Sequence, residues 1–330
     1  MYRYHTRVKK RPKKRGYILV AGGLAVIAFL IFGGGPLLDS GAEPEQNRLE
    51  PSVKTAINEL NFNLPKPEVE PKWPAKIQSA VGAVGYGVIA ESNPTAKAVP
   101  MASLAKVMAA ILIIETDNLT LEDDGRDIVF DLEDEGFYNK YLFEGGVVTT
   151  VKAGESITQR EALNAMLIGS SNNIADTAVK WTFGSIDNYL KKANQKALEL
   201  GMNQTNFDDV AGFSPKSAAT AGNLVLLGEY AMKNSLFAEI VSTWQTKILS
   251  DVLITNTNAF LDFENNGVIG IKSGLTDEAG GTFMTAAHYQ TPSGDSVIAL
   301  AVTLGAQNHF AAQEAAIPLL RSVETGFNSP

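Results

Sequence analysis

Pro100-Met101-Ala102-Ser103-Leu104-Ala105-Lys106-Val107-Met108 is the stretch from which the rest of the chain is read. It opens an apolar run over residues 101–115 that is hydrophobic on nearly all sides, the pattern of a buried helix. Ser103 and Lys106 within it form the only Ser-x-x-Lys of the sequence. Residues three apart on a helix share a face, so the lysine amine can reach the serine hydroxyl. A serine hydroxyl is a poor nucleophile until a neighbouring base takes its proton. A lysine made less basic by burial or by nearby positive charge can be that base. The apolar neighbours Leu104, Val107 and Met108 speak against a solvated amine. Taken alone, the four-residue pattern is more often a helix-capping serine beside an exposed lysine.

Outward from this helix, the pattern is that of a folded domain from about Ile77 onward. Residues 80–90 are apolar, with Val and Ile, and end in a Glu-Ser-Asn-Pro turn, which predicts a strand. Residues 158–183 and 222–234 have amphipathic helical spacing. Residues 268–272, 282–289 and 296–304 are strand-like, and 308–325 reads as a closing helix. Helices fill the middle and strands sit at both ends. That order predicts an α/β (α+β) domain whose one sheet is assembled from N- and C-terminal parts, with a mostly helical region inserted between them.

Composition narrows the chemistry. The 330 residues contain 28 Lys and Arg, 36 Asp and Glu, three His and no Cys. The absence of Cys excludes disulfides, thiolate metal sites and a cysteine nucleophile. Three His without a His-Glu-x-x-His stretch disfavour a zinc peptidase, and no metal or cofactor is expected. A Ser-His-Asp hydrolase is disfavoured as well. Only His288 and His309 lie beyond the N-terminal segment, and no Gly-x-Ser-x-Gly elbow accompanies them. The acid-rich stretch 122–135 lacks the ligand spacing of a calcium loop and reads as a solvated face.

Charge is unevenly placed. Residues 1–15 hold eight basic side chains and no acid, and residues 16–38 carry no charge at all. At about 1.5 Å per residue this second segment spans roughly 35 Å as a helix, enough to cross a bilayer. Basic residues on its N-terminal flank favour a cytoplasmic N-terminus. The expectation is a cytoplasmic tail (1–15), a single-pass transmembrane anchor (16–38) and an extracytoplasmic bulk. A cleaved signal peptide ending near Ser40-Gly41-Ala42 is the alternative. Residues 39–75 read as a Pro-rich spacer, with six prolines from Pro44 to Pro74, leaving 76–330 for the domain. An acidic ectodomain argues against nucleic acid as partner.

Two further motifs accompany Ser-x-x-Lys. Ser170-Ser171-Asn172 offers a hydroxyl to relay a proton and an amide to orient a substrate carbonyl, although Ser171-Asn172-Asn173 fits the same pattern. Lys272-Ser273-Gly274 ends a strand-like run and sets a cation and a hydroxyl beside a glycine that permits close backbone approach. Each alone could be a cap or a turn. In this order, the three form the signature of the penicillin-recognising serine enzymes.

The surrounding sequence resembles one branch, the serine-type D-alanyl-D-alanine carboxypeptidases or low-molecular-weight penicillin-binding proteins. Residues 100–108 look like that family's nucleophile helix, and 154–158 with 165–173 like its second block, which selects Ser170 and Asn172. Residues 201–207 with Thr220-Ala221 are similar to its middle region, and 271–280 to its third block. The resemblance covers about residues 76–326. It implies a β-lactamase/transpeptidase-like fold, an antiparallel sheet flanked by helices. It also implies a substrate, the D-Ala-D-Ala end of a peptidoglycan stem peptide, with β-lactams as inhibitors.

In the implied mechanism Ser103 attacks the carbonyl between the two D-alanines, with Lys106 as base and Lys272 lowering its pKa. Ser170 passes the proton to the leaving amine, and Asn172 holds the substrate backbone. The N–H groups of Ser103 and Leu275 form the oxyanion hole, each worth roughly 10²–10³ in rate. Lys272 and Ser273 grip the carboxylate, beside Gly274. Ser273 stands where the family most often has Thr, and Leu275 at a position that is often polar. The sequence ends at the closing helix without the family's frequent β-rich C-terminal domain, so the expected membrane tie is N-terminal.

A class A β-lactamase would need a Glu after Ser-x-Asn. Glu161 precedes Ser170, and Asp208 and Asp209 read as turn residues. An inert cell-wall-binding module is the remaining alternative.

Overall fold

The computed structural model describes residues 57, 59–262 and 267–329. The basic tail, the apolar run 16–38 and most of the Pro-rich segment up to residue 56 lie outside the described residues. Among the described residues no helix is long and apolar enough to cross a membrane.

The chain runs β1 (Gln78–Ala83), β2 (Gly87–Glu91), β3 (Val99–Pro100), then a 3-10 turn (Ala102–Leu104) that leads directly into α1 (Ala105–Asp117). Next come β4 (Asp127–Val129), α2 (Leu132–Phe143), β5 (Ser156–Thr158), α3 (Gln159–Leu167), α4 (Asn172–Phe183) and α5 (Ile186–Glu199). β6 (Ala218–Ala219), α6 (Ala221–Met232), α7 (Ser235–Ser242), β7 (Gln245–Ile248) and β8 (Val252–Thr255) follow. The chain closes with β9 (Val268–Thr276), β10 (Gly280–Gln290), β11 (Ser296–Ala306) and α8 (His309–Asn328).

Five strands form one antiparallel sheet in the order β2-β1-β11-β10-β9, so the N-terminal hairpin pairs with the C-terminal meander and the helices lie between them in sequence. The strands β9, β10 and β11 are buried along almost their whole length, because both faces of the sheet are covered. On one face Val81, Phe283, Ala299 and Ala301 meet Ala312, Ala316, Leu319 and Val323 of α8. On the other, Ile271, Met284, Leu300 and Val302 join a cluster with α1 and α6. Alanines are frequent at these contacts and allow close approach of the layers.

Two local outcomes differ from the simplest reading of the pattern. Residues 80–90 are two strands, because Gly85 adopts φ +93° and turns the chain back on itself. Residues 158–183 form two helices. Thr158 caps the first in a reciprocal box with Glu161. The chain then bends over 168–171, with Ser170 in the left-handed region at φ 62°, and restarts at Asn172. In the acid-rich stretch, Asp131 caps α2. Asp134 is buried there, bonded to Thr177 and paired with Lys180.

The Pro-rich spacer is packed on the domain from Leu60 onward. Leu60 bridges to Ser296, Asn61 Nδ2 donates to Asp295 Oδ1 at 2.8 Å, and Leu64, Val69 and Trp73 pack against the cluster around α8. Its apolar side chains supply the burial that Pro-limited backbone pairing does not. The Tyr86 hydroxyl lies 3.2 and 3.1 Å from the carbonyl oxygens of Asn61 and Leu64. Tyr86→Phe keeps the ring on Phe327 but frees those carbonyls. A loss of about 1 kcal/mol in denaturant unfolding and faster protease cleavage near residues 60–66 are expected.

Candidate active site

Helix α1 starts in an unusual way. Ala102 takes φ 49°, a left-handed conformation that costs a non-glycine residue of order 1 kcal/mol. The tight turn that follows leaves Ser103 only partly covered, while Ala102, Leu104, Ala105 and Lys106 are buried. Lys106 lies on the same side of the helix start, and its Nζ is 3.0 Å from Ser103 Oγ.

That amine is fully buried and donates to three oxygens, all uncharged: Ser103 Oγ, Asn172 Oδ1 at 2.7 Å and the Ala211 carbonyl at 3.1 Å. Burial pushes the Lys106 pKa down to about 7, with the carboxylates of Asp209 and Asp176 pulling the other way. The amine is therefore able to accept a proton near neutrality from the hydroxyl it touches.

Asn172 begins α4 and is clipped in place from outside. Its N–H donates to the Val147 carbonyl, and Asn173 Oδ1 and Nδ2 bond both backbone groups of Thr149. Ala211 is held by a turn built on Asp209, whose carboxylate accepts from the N–H groups of Phe213 and Ser214 and from the Ser217 hydroxyl. Gly212 follows at φ +71°, where a Cβ would lie 1.7 Å from the Ala102 carbonyl oxygen. Only glycine fits there.

The third motif lies within β9 rather than in a turn at its end. Gly274 sits against Ser103: a Cβ would be 2.8 Å from the Ser103 backbone nitrogen and 2.6 Å from Thr282 Oγ1. Thr282 in turn donates to the Met101 carbonyl at 3.1 Å, tying β10 to the start of the helix. The Lys272 amine is buried, 3.3 Å from Thr257 Oγ1 and 3.0 Å from the Ser273 carbonyl. Its pKa is well below the ordinary lysine value, from burial and from the charge of Lys106. Ser273 Oγ lies 3.4 Å from the Thr257 carbonyl. The Leu275 side chain is exposed beyond it.

Ser103, Lys106 and Asn172 are thus joined directly, and Lys272 and Gly274 face them from β9. Ser170 stands two residues before Asn172 in the bend between α3 and α4, and its hydroxyl makes no hydrogen bond among the described residues. His309, at the start of α8, has its Nδ1 3.0 Å from Gln313 Nε2, and burial and the charge of Lys272 lower its pKa. In β10, His288 Nε2 lies 3.3 Å from Ser296 Oγ of β11. Ala211, Gly212 and Thr257 escaped the sequence reading. Two of them act through a backbone carbonyl or a missing side chain, which leave no motif; only the polar run Asn256-Thr257-Asn258 hints at the third. Among the described residues no cluster of three acidic or histidine side chains could hold a metal.

A serine and a lysine bonded at the head of a buried helix, against an edge strand bearing Lys-Ser-Gly, sit on a sheet-and-helix framework of the DD-peptidase class. Residues 69–308 match the model of the Peptidase_S11 family, D-alanyl-D-alanine carboxypeptidase, and the chain belongs to that family. It is 26% identical over 198 residues to D-alanyl-D-alanine carboxypeptidase DacF of Bacillus subtilis, covering 58% of this chain. It is 35% identical over 143 residues to DacB2 of Mycobacterium tuberculosis, covering 42%. Each match spans 48% of the relative's length. The ampicillin-bound Penicillin-Binding Protein D2 of Listeria monocytogenes superposes with a TM-score of 0.60 at 25% identity, over 76% of this chain and 96% of the other.

The buried amine has a thermodynamic signature. The folded Lys106 pKa of about 7 lies below that of the unfolded chain. Above about pH 7 the unfolded chain therefore holds a proton that the folded one has released, and stability rises with pH until both are deprotonated near pH 10. Lys106→Met is expected to raise stability at neutral pH and to flatten its increase between pH 7 and 9.5. Denaturant unfolding across that range measures both.

Proposed function

We propose that this protein is a membrane-anchored, extracytoplasmic serine-type D-Ala-D-Ala carboxypeptidase that removes the terminal D-alanine of peptidoglycan stem pentapeptides and is acylated by β-lactams. The observation that carries this reading is the hydrogen bond from a buried, weakly basic Lys106 to Ser103.

Lys106 takes the Ser103 proton as Oγ attacks the carbonyl carbon of the penultimate D-alanine. The oxyanion is held by the backbone N–H groups of Ser103 and Leu275, and the closeness of Gly274 to Ser103 supports that pairing. The C–N bond breaks, the departing amine takes a proton by way of Ser170, and D-alanine leaves. Water then attacks the ester with Lys106 again as base, releasing the shortened peptide and restoring Ser103. Asn172 orients the substrate backbone, while Lys272 and Ser273 receive the terminal carboxylate. The basic tail and uncharged run of residues 1–38 support the anchor.

The test is an intact-mass time course of the full chain with benzylpenicillin, alongside an assay of D-alanine release from a D-Ala-D-Ala peptide. A long-lived adduct that Ser103→Ala abolishes is expected. Lys106→Met should slow acylation by about 10²–10⁴. In the unsubstituted protein the rate should fall below about pH 7, as the amine becomes protonated. A short-lived adduct with drug turnover would indicate a β-lactamase, and no adduct with no D-alanine release would leave a binding module.

A further inference from the structure

Beneath the site lies a carboxyl group that the proposed chemistry does not use. Asp176 is on α4, one helical turn after Asn172, so it lies about 6 Å along the helix axis from the residue that accepts from Lys106. It is buried, and its surroundings serve only half of it. Oδ2 accepts from the Tyr141 hydroxyl at 2.9 Å, and Oδ1 has no hydrogen-bond partner. Tyr141 is itself fixed. Its ring packs edge-on to Phe213, and its carbonyl accepts from Gly146, which lies against the Asn172 amide.

Packing alone does not call for a carboxylate here. An asparagine has the same shape and can also accept from Tyr141, so charge is the distinguishing property of Asp176. Asp209 is the other acid within range of Lys106, but its charge is spread over two backbone N–H groups and a serine hydroxyl.

We propose that Asp176 is a positioning residue that acts as a counter-ion for Lys106, its buried carboxylate governing the charge of the amine that touches Ser103. The groups that face Asp176 are Tyr141 and Lys140 of α2, Lys106 of α1, Tyr189 of α5 and Asp209 of the 209–214 turn. Burial raises the Asp176 carboxyl to about 7, the same range in which Lys106 titrates, so each group biases the other. A negative Asp176 favours the ammonium form of Lys106. Removing that charge lets the amine shed its proton at lower pH. The catalytic meaning of this coupling rests on the reading of Lys106 as the base, whereas the coupling itself does not.

The experiment follows Lys106 directly. The full chain is prepared in detergent with lysine labelled at Cε, and the Lys106 resonance is assigned by its loss in Lys106→Arg. Asp176→Asn is expected to lower the Lys106 midpoint by about one pH unit. Tyr141→Phe removes the bond that favours the carboxylate, and so should lower the midpoint by a smaller amount. It also reports if Asp176→Asn does not fold. A midpoint that stays or rises in the folded variants overturns the proposal and leaves Asp176 as an anchor for Tyr141. Benzylpenicillin acylation is measured in parallel. Its low-pH limb should move down with the Lys106 midpoint, and the rate at pH 9 should fall because the amine is a weaker base. Absence of acylation in the unsubstituted protein would count against the proposed function while leaving the titration result intact.

Discussion

Two lysine amines are buried in this domain, and among the described residues neither is hydrogen-bonded to a carboxylate. An ammonium group inside a protein costs roughly several kcal/mol unless it is paired or gives up its proton. A bonded carboxylate would remove that cost by locking the proton onto nitrogen. The fold supplies neutral oxygens instead. For Lys106 these are a hydroxyl, a side-chain amide and a backbone carbonyl, from the 3-10 turn, from α4 and from the 209–214 turn. For Lys272 they are the Thr257 hydroxyl and the Ser273 carbonyl. Hydrogen bonds satisfy the amines while the low polarity around them lowers their basicity.

This requirement accounts for the two left-handed non-glycine residues beside the site, Ala102 and Ser170. Bringing oxygens from distant segments onto one nitrogen demands close approach, and the close approaches fall at Gly212 against Ala102 and at Gly274 against Ser103. The left-handed residue Ala102 opens the 3-10 turn that carries Ser103, and Ser170 lies two residues before α4, where the chain must change direction for Ser103 and Asn172 to face one amine. Strain of this kind persists only when the surroundings over-determine it. Here the Thr282–Met101 bond holds one bend, and the Asn173–Thr149 pair together with the Asn172–Val147 bond holds the other.

What the sequence made legible follows the same division. Ser-x-x-Lys could be read because helical spacing is local and the partners are side chains. The sheet's assembly from both ends of the domain was legible in the order of helical and strand-like runs. The third oxygen on Lys106 was not legible, because any residue has a carbonyl and Ala211 carries no chemical label. The same applies to Gly212, whose role is the absence of a side chain at a crossing of two loops. Residues 60–75 read only as part of a Pro-rich spacer because proline content reports on backbone pairing and not on whether Leu64, Val69 and Trp73 find a surface. Asp208 and Asp209 were read as turn residues. Asp209 does build a turn, yet the turn is the one that presents Ala211 to the amine.

The acids near Lys106 complete the electrostatic argument. Desolvation by itself would drive the amine's pKa further down, and an amine of very low basicity gains little by taking a serine proton. Asp209 and Asp176 oppose that drift without touching the nitrogen. Set one shell away, a carboxylate raises the pKa by field alone and leaves the hydrogen-bonding positions on Nζ to Ser103 and its neutral partners. Burial, the larger influence, and remote negative charge oppose one another, and their balance leaves Lys106 near neutrality. The two acids that bear on Lys106 in this way carry no signature that a pattern search would find.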